Sequence, residues 1–418
     1  MTRNAWRRRD FLMTGGTAAL AALARPLRGA AGEAGTVPRN KIFNVRFIPD
    51  DPFYDPARPN LHAGVDALLG LLAANGLPFY RSNETSDWTG PAGLIARDDV
   101  VLVKVNAQWK YRGCTNSDLV RGVVQRVLDH PDGFRGEVVI VENGQGRASL
   151  NCDTRYYYPD AEVHANANDE RHSFRYLVDR IFKGRRVGCY LLDDIRQNFI
   201  GGSDHTKAGY RKLGDVSYPC FTTPGGRRVE LARGIWTGAG FGRNLKLINI
   251  PVLKHHDEGG SEITAGLKHF YGLLSMSDGM SGFRHYEGLG KTCGAMVASV
   301  RTPVLNIIDA IWVSHRNIKG HPESKPFRAN RIAASQDPVA LDYWAAKYIL
   351  YPVDQNGRHH PSFPGIDAWL RDARDTINAA GGLYDPEQGI QVRRVTKDER
   401  RMQVFSASAA LVQGSGRG

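Results

Sequence analysis

The chain has 418 residues, 42% of them hydrophobic and 9% aromatic, and carries a formal charge of +12. That is apolar material for one large domain or two ordinary ones. After the first 35 residues no run of 18 or more apolar residues occurs, which argues against a membrane span, and no Lys/Arg block with interleaved aromatics argues for nucleic acid.

The first 32 residues read as an export signal. Arg8-Arg9-Asp10-Phe11-Leu12-Met13 has the twin-arginine pattern, residues 14–24 form a short stretch of small apolar residues, and Ala30 and Ala31 suit a signal peptidase. Such a leader implies the twin-arginine export machinery as a partner, and a periplasmic or extracellular address reached in the folded state. It also distorts the charge. Residues 1–32 hold six arginines against one aspartate, which leaves the rest of the chain near +7, a moderate excess suited to anionic partners. The five cysteines include no C-x-x-C pair, so no iron–sulfur cluster or zinc ribbon is expected. In an oxidising compartment their odd number leaves at least one unpaired within the chain.

In chain order, KIFNVRFI (41–48) reads as a first strand and VDALLGLLAANG, from Val65, as a helix stopped by glycine. DDVVLVKVNA (98–107) is a buried strand, TNSDLVRGVVQRVLDH a helix with Thr115, Asn116 or Ser117 as its cap, and GEVVIVENG (136–144) a second buried strand. Strand, helix and strand of nearly continuous Val, Ile and Leu make a βαβ unit, hence an α/β fold with a mainly parallel sheet covered on both faces. Residues 145–240 are less regular and read as an insertion or cap between a first core segment (41–144) and a second (241–350). In the second segment NLKLINIPVL and PVLNIIDAIW are strands, and SEITAGLKHFYGLLS (261–275) is a helix. RIAASQDPVALDYWAAKYIL is a strand followed by a helix that starts at Asp337-Pro338. Residues 351–418 supply a last helix and an edge β-ribbon.

Ligands of open α/β sheets sit beyond the carboxyl ends of the strands. That rule selects Lys104 and Asn106, Glu142 and Asn143, Lys254 to Asp257, and Asp309, polar residues that end apolar strands. Neighbours on an extended chain point to opposite sides. Lys254 and His256 should therefore share a face while His255 looks elsewhere, and the two adjacent histidines should not chelate one ion. Lys268 and His269 approach from the next helix. The alternative for each is structural: a solvated strand end, a snorkelling lysine, a capping aspartate. No G-x-G-x-x-G after a strand, Walker A loop, G-x-S-x-G elbow or H-E-x-x-H is present.

Several of these pieces together resemble the family known as domain of unknown function 362. VVLVKVN (100–106), LINIPVLKHH (247–256), ITAGLKHFYGLLS (263–275), LNIIDAI (305–311) and ASQDPVALD (334–342) look like its ordered signatures, over roughly residues 98–350. The resemblance implies the fold class and a site, and no reaction. Some relatives carry ferredoxin-like cysteine motifs, which this chain lacks.

The expectation is an exported protein with a cleft at its strand ends that binds an anionic or carbonyl-bearing small molecule. Lys254, His256 and Lys268 are the candidate catalytic groups, and Lys104, Asn106, His269 and Asp309 the candidate ligand-binding ones. Lysines would neutralise the anion and a histidine would move protons near neutral pH. A divalent metal on His256 and His269 is an open addition. A non-catalytic periplasmic binding or assembly protein is the alternative.

Overall fold

The computed structural model describes residues 39–415 apart from 85, 196–197 and 280–281. The export signal read in residues 1–32 lies outside them. Nine strands of the central sheet carry labels here: β1 (Asn40–Arg46), β2 (Val100–Val105), β3 (Glu137–Glu142), β4 (Val187–Leu191), β5 (Leu245–Ile250), β6 (Val252–His255), β7 (Leu305–Ser314), β8 (Phe327–Ser335) and β9 (Met402–Ser408). In space eight of them run β9-β1-β8-β7-β5-β2-β3-β4, and β6 lies off this path, paired in parallel with β7. From β7 through β4 every pairing is parallel, β8 is antiparallel to both β7 and β1, and β9 closes the edge parallel to β1. The expected α/β class with a mainly parallel sheet is therefore what the chain forms. Its C-terminal β element is this one edge strand.

The strands read as unbroken apolar runs because both faces are covered. Val101, Val103 and Val105 of β2 pack with Leu68 and Leu72 of α1 (Ala63–Ala74) and with Val120 and Val124 of α2 (Ser117–Leu128). Val100 and Leu102 point the other way. They join Leu267 of α3 (Gly266–Phe270), Leu341 of α4 (Pro338–Ala345) and Trp369 of α5 (Pro364–Ala379). Two caps read from the sequence are in place. Asn116 Oδ1 accepts from the Leu119 amide at 2.9 Å, and Asp337 Oδ1 accepts from those of Val339 and Ala340 at 2.9 Å. Each such cap stabilises its helix by about 1 kcal/mol.

Two segments differ from expectation. The helix predicted over 261–275 is broken up: Ile263–Thr264 pair as a strand with β6, α3 covers only Gly266–Phe270, and a single 3-10 turn follows. The apolar spacing fitted a helix, but Glu262 adopts a left-handed φ of 58°, and no helix continues through it. The insertion is more regular than its composition suggested. It adds β4 to the parallel sheet and folds residues 209–242 into a five-stranded antiparallel sheet. Among the described residues no helix is long and apolar enough to cross a membrane.

Candidate functional site

At the carboxyl ends of β2, β3 and β6 the sheet opens into a cleft of about 200 Å3. Its lining includes Lys104, Asn106, Glu142, Lys254, His256, Lys268 and His269, together with Trp109, Arg147, Tyr157, Asp257 and His285. Strand alternation explains the strand-borne members. Lys104 and Asn106 are two apart at the end of β2, and Lys254 and His256 are two apart at the end of β6. His255, between them, leaves the cleft and shares a 2.9 Å hydrogen bond with Nε2 of His359. Asp309 does not line the cleft. It lies within β7, where its carboxylate accepts from the amides of Asn116 (2.7 Å) and Ile311 (3.1 Å), and burial pushes its pKa up to about 7. Asp342 also serves the frame: its two oxygens accept from the Gly266 and Leu267 amides, which fixes the start of α3 and with it Lys268 and His269.

The cations of the cleft are held in different ways. Lys104 donates to Glu142 Oε2 at 2.5 Å and to the Val105 carbonyl at 3.0 Å, and Gly272 leaves it room, since a Cβ there would come 3.0 Å from Nζ. Burial pushes Lys104 down and Glu142 up, and each is opposed by the other's charge. Lys254 is fully buried and has no carboxylate partner among the described residues. Its ammonium donates to the carbonyls of Gly113 and Ile318 and lies 5.5 Å from the centre of the Trp109 ring. Lys268 donates to Nε2 of His285 at 2.9 Å. Burial lowers Lys254 to about 7 and Lys268 to about 8. Arg147 contributes a fourth cation, its guanidinium 4.5 Å from the Tyr156 ring centre.

The histidines differ in which nitrogen faces the ligand. Nδ1 of His256 accepts from the Asp257 amide at 2.6 Å and lies 2.9 Å from the Ser261 hydroxyl, so the neutral ring carries its proton on Nε2 and is a donor. Nδ1 of His269 meets Asn249 Oδ1 at 2.7 Å. The Asn249 amide nitrogen is spent on Gly266 O and Asn306 Oδ1, both at 3.0 Å, so His269 is the donor in that contact and Nε2 keeps its lone pair. Burial, followed by the charge of Lys104, holds His269 well below the usual imidazole range, although the nearby Val105 carbonyl favours a proton. Burial and the same kind of charge, here first from Lys268, hold His256 low as well.

Ligand atoms of His256, Asp257 and His285 all lie within 4.8 Å of one another, a grouping that does not include His269. Two of the ring nitrogens are already acceptors, from the Asp257 amide and from Lys268, so an ion would have to displace an ammonium. The donor set suits an anion better than a cation. The other such grouping among the described residues, Asp160, Glu162 and His164, does not line the cleft and is engaged by Lys110 and Glu170.

Residues 239–347 match the DUF362 family model, a domain of unknown function. No curated protein and no solved structure matches the chain. The DUF362 segment supplies Lys254, His256, Lys268, His269 and His285. The facing wall, with Lys104, Asn106, Trp109, Glu142, Arg147 and Tyr157, comes from chain outside it. The first signature of the resemblance, at 100–106, lies in that outer part. Sequence reasoning missed Arg147, Tyr157 and His285. All three come from polar, turn-rich stretches with no periodicity to place them, and only Trp109, just past the end of β2, had a position that could have flagged it.

Proposed function

We propose that the cleft binds an anionic small molecule, one able to present a carbonyl or similar acceptor to His256, after export of the folded chain by the twin-arginine route. One observation carries the reading. Lys254, Lys268 and Arg147 bring three cations to one small cleft, and among the described residues none of them forms an ion pair. Buried charge without a counter-charge is costly, and a ligand anion would supply the missing partner. The export half of the reading is supported by the Arg8-Arg9-Asp10-Phe11-Leu12 pattern alone.

The same geometry supports proton transfer in the cleft, since His269 Nε2 is a free acceptor while His256 Nε2–H and the lysines are donors. Isothermal titration with citrate, phosphate and 2-oxoglutarate tests the binding. Wild type is expected to take up at least one of these anions, with affinity falling as salt rises, and Lys254→Met/Lys268→Met is expected to lose roughly tenfold or more, as for charge-assisted hydrogen bonds. Equal binding by wild type and double variant would sink the reading. Elemental analysis of protein exported by its own leader, with and without His256→Ala, covers the cation alternative: a stoichiometric metal lost in the variant would replace the anion.

A further inference from the structure

The anion reading says what charge the ligand carries, and two other atoms say what accompanies it. Asn106 Oδ1 and His269 Nε2 are buried in the cleft lining with no hydrogen-bond partner. Both are acceptors, by the amide assignment for Asn106 and by the Asn249 contact for His269. A buried acceptor left unpaired is costly, so such atoms in a binding cleft mark where a ligand hydrogen belongs. Both belong to one end of β2: Asn106 directly follows Val105, and the Val105 carbonyl lies close enough to the His269 ring to act on it. The other polar groups of the lining are the opposite in kind: His256 Nε2–H, Lys254 and Lys268 are donors.

From this polarity we infer that the ligand is a hydroxylated anion, a small molecule with an acidic group for the lysines and at least one adjacent hydroxyl whose hydrogen is given to Asn106 or His269. This rests on the anion reading above and narrows it. A hydroxyl fits better than an ammonium as the donor, because the lysines and Arg147 would repel a second positive charge. The acidic group and the hydroxyl must lie close in the molecule, since the cleft holds only about 200 Å3. A plain carboxylate would satisfy the donors and leave these two acceptors unpaired, and a site built around a substrate hydroxyl discriminates strongly against the analogue lacking it.

The test uses matched anions that differ by one hydroxyl: malate against succinate, lactate against propionate, and glycerate against 3-hydroxypropionate, each titrated calorimetrically into the full mature chain. The hydroxylated member of at least one pair is expected to bind roughly tenfold to a hundredfold more tightly. In Asn106→Leu and in His269→Phe that preference should shrink to about twofold, while affinity for the partner lacking the hydroxyl is kept. Retained affinity for that partner also shows that a variant has folded. Lys254→Met should weaken both members of a pair alike. If wild type binds the members of every pair equally, or binds none of them while binding an anion tested above, the hydroxyl inference is wrong and the anion reading stands. If it binds none of these anions, nor those tested above, both fall.

Discussion

Two of the regions that bury cations do so in opposite ways. Between α1 and α2, Arg126 meets Asp66 through two short contacts, Nε to Oδ1 at 2.5 Å and Nη2 to Oδ2 at 2.6 Å, and Tyr54 donates to the same carboxylate. Burial works against the guanidinium charge there, but the Asp66 carboxylate lifts its pKa above the ordinary value. In the cleft, Lys254 and Lys268 are as deeply placed but meet carbonyls, an imidazole and aromatic rings, and their pKa values fall. Burial of a charge therefore does not mark a site by itself. Several unpaired cations lining one cleft do, because a chain that needed only stability would have paired these lysines or replaced them with apolar side chains.

The largest expected effect would break the paired side of this contrast. Arg126→Met leaves a buried carboxylate without its partner and should cost about 3–5 kcal/mol in urea unfolding, with anion affinity of the folded protein unchanged. A comparable loss of affinity would mean that the two regions are not independent.

The second prediction concerns pH. Lys254 in the folded chain titrates near 7, against about 10.5 when unfolded. Between these values the unfolded state binds more protons, so this residue's penalty on folding is full below about pH 7 and is relieved as pH rises toward 10. Unfolding free energies measured from pH 7 to 10 should therefore rise more steeply with pH for wild type than for Lys254→Met. Identical slopes would place the lysine in a wetter setting than the cleft. The corresponding signature of ligand binding is proton uptake near pH 8, read by calorimetry in buffers of different ionisation enthalpy.

The smallest effect separates adjacent residues. His255→Ala should change anion affinity by less than about twofold, while His256→Ala, which removes a neutral donor, should cost on the order of 1 kcal/mol of binding. Similar losses from both would show that the strand does not keep the two rings apart in solution.

Much of this was legible in the sequence, and for identifiable reasons. Val100–Val105 and Glu137–Glu142 announce buried parallel strands, and the period of two at their ends assigns Lys104 with Asn106, and Lys254 with His256, to shared faces. The same rule sent His255 to His359. What escaped depends on long-range pairing. Asp309 ends no strand: it sits inside β7 and binds the Asn116 amide, 193 residues away in sequence. The 261–275 stretch has helical apolar spacing, but Glu262 is turned away from a helix and pairs with Arg358 at 3.0 Å, a partner no local pattern reveals. Arg147 and Tyr157 reach the cleft from loops and His285 from the end of a one-turn helix, Gly282–His285, whose positions are set by tertiary contacts and not by periodicity.

Lys254 has one further consequence, which follows from counting hydrogens. An ammonium has three, and two of them are taken by the carbonyls of Gly113, at the end of a 3-10 turn, and Ile318, far from it in sequence. The third is left with a direction fixed by the other two. The residue thus meets a ligand as a single aimed donor and not as a free-swinging charge, and the cleft can discriminate by angle between anions of equal charge. Arginine in its place would keep the charge but lose the aim.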